Sequence, residues 1–275
     1  MVRKPPSKLS FVLESRALLD VALVPFSLLR SKLKVREPAV NGALPIMMFP
    51  GFGSDEIYLR ALELHLRRLG YCTEGWGLGV NLAGTNYPHV LEDLAPYWEF
   101  DLPNNYSADT YKGEGGVPYL CDLAIARVKQ RSTELDSPVV LIGWSLGGYI
   151  ARECARELTD QVAQVITFGA PIVGGPKYSR AADFFKAKNY DLDWIEQSID
   201  KRNRKPILQP ITSIFSRTDG VVSATAAVDE MSPNVQNIEV NSAHLGMGFN
   251  RKIWKIVTHA LREQAEQRHR ISGKC

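Results

Sequence analysis

The segment Gly143-Trp144-Ser145-Leu146-Gly147-Gly148 sets a hydroxyl between glycines two residues before it and two residues after it. It follows the apolar run Val139-Val140-Leu141-Ile142 and precedes a helical pattern, the context of a strained strand-to-helix turn that projects a serine at the end of a sheet. Small residues are required at 143 and 147 because strand and helix backbones close on each other there, leaving no space for a Cβ. The helix opening at Leu146 aims its positive end at the same point. A serine hydroxyl is a weak nucleophile until a base takes its proton and a third group orients that base, so the partners decide the matter.

In this arrangement the acid and the histidine follow the serine along the chain. Asp219 lies directly after the apolar stretch Ile211 to Phe215, and the segment Val221 to Ala226 beyond it does not resemble the second arm of a hairpin, which Asp219-Gly220 would otherwise suit. Asp191, Asp193 and Asp200 are weaker alternatives. Of the five histidines, His65 and His89 precede the serine, His259 falls in a charged terminal helix and His269 at its end. That leaves His244, in the loop Asn241 to Gly248, as the expected base. Acyl transfer also needs donors for a developing oxyanion. The backbone N–H groups of Leu146 and of Phe52, in the turn Pro50-Gly51-Phe52-Gly53, are expected to supply them. Trp144, Phe185 and Trp194 are the expected substrate contacts.

The elements that must hold these residues alternate strand and helix, the pattern of a mostly parallel sheet covered by helices. A strand is expected at Pro45 to Phe49, then a helix capped by Ser54 and running to Leu69. Gly75 to Gly116 lacks a sustained period and reads as a long functional loop. A helix over Pro118–Glu134, the strand leading to Ser145, a helix through Leu158 and a strand at Val165 to Phe168 follow. The aromatic and charged segment 171–210 reads as a mobile helical cap. Strands at Ile211 to Phe215 and Val235 to Val240 and a helix from Lys252 to Gln267 complete the α/β pattern.

These residues resemble the α/β-hydrolase superfamily, and within it the bacterial lipase- and esterase-like serine hydrolases in which a PGF or HGF turn precedes a GxSxGG elbow. The likeness covers about Leu44 to Leu261, and Gly75-Trp76-Gly77-Leu78-Gly79-Val80-Asn81 is similar to a segment of bacterial hydrolases of this group. Pro50 and Trp144 stand where those lipases often carry histidine. The resemblance implies the α/β-hydrolase fold and cleavage of carboxylic esters by the triad Ser145, Asp219 and His244, with no metal or organic cofactor. Acyl transfer to another acceptor or amide hydrolysis would use the same triad. A noncatalytic hydrolase-like binding protein is the alternative of a different class.

The chain has 275 residues, 45% of them hydrophobic, enough for one large core. One catalytic domain over 39–275 is expected, with 1–38 as an accessory. Its 33 basic and 30 acidic side chains leave a formal charge of +3, too balanced for a nucleic-acid partner. A small-molecule or lipid ester is the expected partner. The scattered Cys72, Cys121, Cys154 and Cys275 form no CxxC pair, and no cleavable leader is evident, so a cytoplasmic setting is favoured. From Leu9 to Leu33 apolar residues recur at helical spacing with basic flanks. This reads as an amphipathic helix packed on the catalytic domain through Leu19, Leu23 and Phe26. Peripheral membrane contact is the other use of such a helix, which Glu14 and Asp20 oppose.

Overall fold

A computed structural model describes residues 4–7, 13–17, 42–100 and 111–272. The strands are β1 (Ile46–Phe49), β2 (Thr73–Gly75), β3 (Val139–Trp144), β4 (Val162–Phe168), β5 (Ile211–Phe215) and β6 (Val235–Glu239). They make one sheet in the order β2-β1-β3-β4-β5-β6, with every neighbouring pair parallel.

Successive strand residues point to opposite faces, and both faces are covered. Ile46, Met48, Val140, Ile142, Ile166 and Phe168 share one core with helices α1 (Arg60–Arg68) and α7 (Arg251–Ser272). Met47, Phe49, Val139, Leu141 and Val165 pack on the other face against α2 (Gly116–Glu134) and α3 (Leu146–Glu157). Burial on both faces is why β1 and β3 read as unbroken apolar runs rather than alternating ones.

Three local expectations are corrected. Ser54 does not cap the first helix. Its hydroxyl turns back to donate to the Gly51 carbonyl at 2.9 Å, while Asp55 accepts from the Ile57 N–H and opens a 3-10 turn, Glu56–Leu59, that leads into α1. The stretch from Gly75 is preceded by β2, a three-residue strand too short and too polar to show in the sequence. Helix α2 starts at Gly116, before Pro118, because a proline in the first turn loses no intrahelical bond.

Between β4 and β5 lie a 3-10 turn, Gly175–Tyr178, and helices α4 (Ala182–Ala187) and α5 (Leu192–Asn203). Asp191 caps α5, accepting from the N–H groups of Asp193 and Trp194. Arg202 ties α5 to α3 through Glu153 and Glu157 and lies over the rings of Tyr97 and Trp98. The loop after β5 leads into the short helix α6 (Ala224–Ala227), and the loop after β6 into a 3-10 turn, His244–Phe249. Of the amphipathic helix expected over Leu9 to Leu33, only 13–17 is described, with a 3-10 turn at Leu13–Arg16; Leu19, Leu23 and Phe26 lie outside the described residues.

Candidate active site

Ser145 stands at the junction of β3 and α3 with φ +54° and ψ −128°, a conformation that L-residues rarely adopt. The sequence around it permits the turn for the steric reason expected. A Cβ on Gly143 would lie 2.5 Å from the Gly147 carbonyl oxygen, and one on Gly147 would lie 2.3 Å from that of Phe49. The turn brings Ser145 Oγ to 3.0 Å from His244 Nε2, and His244 Nδ1 lies 2.7 Å from Asp219 Oδ2. Asp219 Oδ1 accepts from the N–H groups of Val221 and Val222, both at 2.7 Å, which fixes the carboxylate. An ionised Asp219 can only accept, so Nδ1 carries the proton and Nε2 is left to receive the one on Ser145. All three side chains are buried.

Leu146 and Phe52, the residues expected to supply the amide donors, line the same cavity as Ser145. Leu146 is the first residue of α3, so its N–H has no acceptor within the helix. The turn bearing Phe52 is held by Asn81, a fully buried residue. Its side-chain amide donates to the Pro50 carbonyl at 2.8 Å, its carbonyl accepts from Gly53 N–H at 2.7 Å and its own N–H donates to Ser54 at 2.9 Å. The turn lies directly against the serine, since a Cβ on Gly51 would come within 3.0 Å of Ser145 Cβ. Sequence reasoning missed Asn81, although it ends the quoted segment Gly75 to Asn81.

A cavity of about 190 Å³ opens beside Ser145 and is lined mainly by apolar side chains, Phe52, Leu146, Phe185 and Trp194 among them. Phe185 and Trp194 are buried and face inward. Trp98 and Phe100, from the long loop, and Tyr149, Ile195 and Ile199 also line it without having been singled out. Trp144 borders the cavity, but its ring is chiefly a support, stacked on Tyr58 with centroids 3.5 Å apart. The Tyr58 hydroxyl donates to the Leu245 carbonyl at 3.0 Å and accepts from Gly248 N–H at 3.2 Å, which steadies the histidine loop.

Other nucleophiles and bases stand elsewhere. Burial pushes the Cys121 and Cys154 thiols well above the usual range, which keeps them protonated and unreactive. His65 packs against Trp254, His89 bonds Tyr111, and exposed His259 pairs with Glu263.

Residues 108–274 match the family model of the thioesterase domain. The chain belongs to the thioesterase-domain family. The match takes in Ser145, Asp219 and His244 and leaves β1 and the Phe52 turn of this thioesterase-domain protein outside it. A pimeloyl-[acyl-carrier protein] methyl ester esterase of Aromatoleum aromaticum is 34% identical over 97 residues, covering 34% of each chain. One of Pectobacterium carotovorum is 21% identical over 170 residues, covering 59% of this chain and 60% of that one. The chain therefore spans between 34% and 60% of the length of these relatives.

Among solved structures, a monoacylglycerol lipase of Paleococcus ferrophilus superposes with a TM-score of 0.52 at 12% identity, covering 82% of this chain and 97% of that one. Esterase PE8 does so at 0.51 and 20% identity, covering 82% and 95%. These likenesses show the α/β-hydrolase fold. No described helix is long and apolar enough to cross a membrane.

Proposed function

We propose that this thioesterase-domain protein hydrolyses carboxylic esters through an acyl-enzyme on Ser145. The observation that carries this is the continuous line from Ser145 Oγ through the His244 imidazole to Asp219, at 3.0 and 2.7 Å. His244 Nε2 takes the serine proton as Oγ attacks the ester carbonyl, and the N–H groups of Leu146 and Phe52 receive the oxyanion. The imidazolium then protonates the leaving alkoxide. Water, deprotonated by the same imidazole, releases the acid and frees Ser145. Asp219 holds the tautomer and stabilises the imidazolium. The steps require no metal or organic cofactor.

The apolar cavity supports a substrate with a hydrocarbon acyl chain, a small-molecule or lipid ester, laid under the cap 171–210 against its Phe185 and Trp194. Residues 39–275 form the catalytic unit in this reading, and free Cys72, Cys121 and Cys154 support a reducing, cytoplasmic setting. The relatives named as methyl ester esterases support an oxygen ester, while the family match makes thioesters the second class to test. Turnover of p-nitrophenyl esters from acetate to palmitate, set beside acyl thioesters of the same chains, tests the proposal with Ser145→Ala as control. Oxygen-ester turnover that the control abolishes supports it, whereas turnover confined to thioesters would move the substrate to the second class. Unchanged turnover by Ser145→Ala refutes it.

A further inference from the structure

We infer that Glu14 is a positioning residue of this site, its carboxylate holding the loop of Asp219 and the loop of His244 in register with each other. The inference rests on the function proposed for Ser145. Glu14 lies 206 residues before Gly220 in the chain, yet its Oε1 accepts from the backbone N–H of Gly220 at 2.8 Å and from that of His244 at 2.8 Å. Its Oε2 accepts from Leu245 N–H at 2.9 Å. One side chain thus engages the residue directly after the acid, the histidine itself and the residue after the histidine.

Few groups can fill this role. A carboxylate only accepts, offers two oxygens with about four lone-pair sites and makes stronger bonds to N–H donors than a neutral acceptor does. Here three main-chain donors converge on it, and the carboxylate is itself buried, at 7% exposure. The loops have links of their own, but these precede the working residues: Thr218 Oγ1 donates to Asn241 Oδ1 at 3.0 Å, and Ser216 Oγ accepts from Ser242 N–H at 3.2 Å. Glu14 supplies the clasp at His244 itself. The distance from His244 Nδ1 to Asp219, and the aim of Nε2 at Ser145, depend on the relative placement of these two loops.

Glu14 does not line the cavity, so substrate contacts do not pass through it. In the sequence it is only a charge interrupting an apolar run. Folded, it makes the segment ahead of the catalytic unit a contributor to the triad's geometry.

The test is the kinetics of full-length Glu14→Ala and Glu14→Gln on p-nitrophenyl butyrate, at a temperature well below each variant's Tm. Glu14→Ala is expected to lower kcat about 10²-fold, the effect of a small misplacement of reacting groups, with KM unchanged. Glu14→Gln can present one oxygen to Gly220 and His244 but sets its NH2 against Leu245 N–H, so its kcat should fall between wild type and Glu14→Ala. A folded Glu14→Ala with wild-type kcat overturns the inference whatever its Tm, and so does a rise in KM with kcat retained.

If Glu14→Ala does not fold, Glu14→Gln decides by the same criterion. Amide hydrogen exchange of the wild type gives a measurement that needs no variant. The N–H groups of Gly220, His244 and Leu245 should be protected together, and rapid exchange of all three overturns the clasp. An inactive Ser145→Ala beside a normal Glu14→Ala refutes the role of Glu14 alone, whereas an active Ser145→Ala refutes the proposed function.

Discussion

Gly169 packs against the imidazole of His244 so closely that a Cβ built on it would lie 3.0 Å from both Nδ1 and Cε1. The glycine follows β4 with φ +61°, and its N–H donates to the Ile214 carbonyl at 3.0 Å, so the backbone there cannot easily withdraw. Gly169→Ala should therefore push the ring off its line to Ser145, in addition to the strain of a side chain at positive φ. The expected result is a loss of about 10²-fold in kcat/KM from a protein that still folds. Ester turnover together with far-UV circular dichroism checks it, and wild-type kcat/KM would show that the ring tolerates displacement.

Asp219 differs from Ser145 and His244 in what its removal should do. In the proposed mechanism Ser145 and His244 act in the same proton transfer, so Ser145→Ala and His244→Ala should each lower kcat about 10⁶-fold. Asp219→Asn keeps the shape but cannot both accept from Val221 and Val222 and fix the Nδ1–H tautomer, so a loss of about 10⁴-fold is expected. Single-turnover rates on an activated ester compare the three. Near-wild-type rates for Asp219→Asn would mean that another acid orients His244.

Phe185 and Trp194 come from separate helices, α4 and α5, and both line the cavity. Trp194→Ala or Phe185→Ala should change the preference among acyl chain lengths more than the rate on p-nitrophenyl acetate, whose acyl group is too short to reach a distant wall. A chain-length series on each variant checks this. Equal losses on short and long esters would count against contact with the acyl chain.

His65 predicts how stability responds to acid. Burial first, then the charges of Arg68 and Arg251, lower its pKa from 6.5 to about 4. Between these values it is neutral when folded and protonated when unfolded, so its contribution is fully present above pH 6.5 and is lost as pH falls toward 4. The loss should be on the order of 2 kcal/mol after allowance for its partial exposure. His65→Phe keeps the packing on Trp254 and should flatten that part of the slope, as urea unfolding at about pH 7 and about pH 4.5 would show. Parallel slopes for the two proteins would rule out His65 as the source.

How far the sequence disclosed this site depends on whether a residue's role is local. Gly143, Ser145 and Gly147 are readable because steric demand within five consecutive residues selects their types. Asp219 and His244 could be chosen because each follows a strand and the fold fixes their order. Glu14, Asn81 and Tyr58 act across long stretches of chain, on backbone atoms that carry no residue identity, and so left no spacing to read. The same reason hid Trp98 and Phe100. They come from the loop between β2 and α2, which has no period, and contacts far along the chain bring them to the cavity: Arg202 lies over Trp98, Asp122 accepts from its indole N–H at 2.8 Å, and Phe100 stacks on Trp194. β2 escaped because three residues, one of them Gly75, cannot display a strand pattern.

The most direct measurement is the intact mass of the protein after exposure to a fluorophosphonate, followed by mapping of the labelled peptide. The reagent reports a serine whose proton has a base to go to. Wild type should gain one adduct, located on Ser145 and blocked by prior incubation with an ester substrate, and Ser145→Ala and His244→Ala should gain none. An adduct on any other residue, or an unlabelled wild type that still turns over esters, would contradict the account.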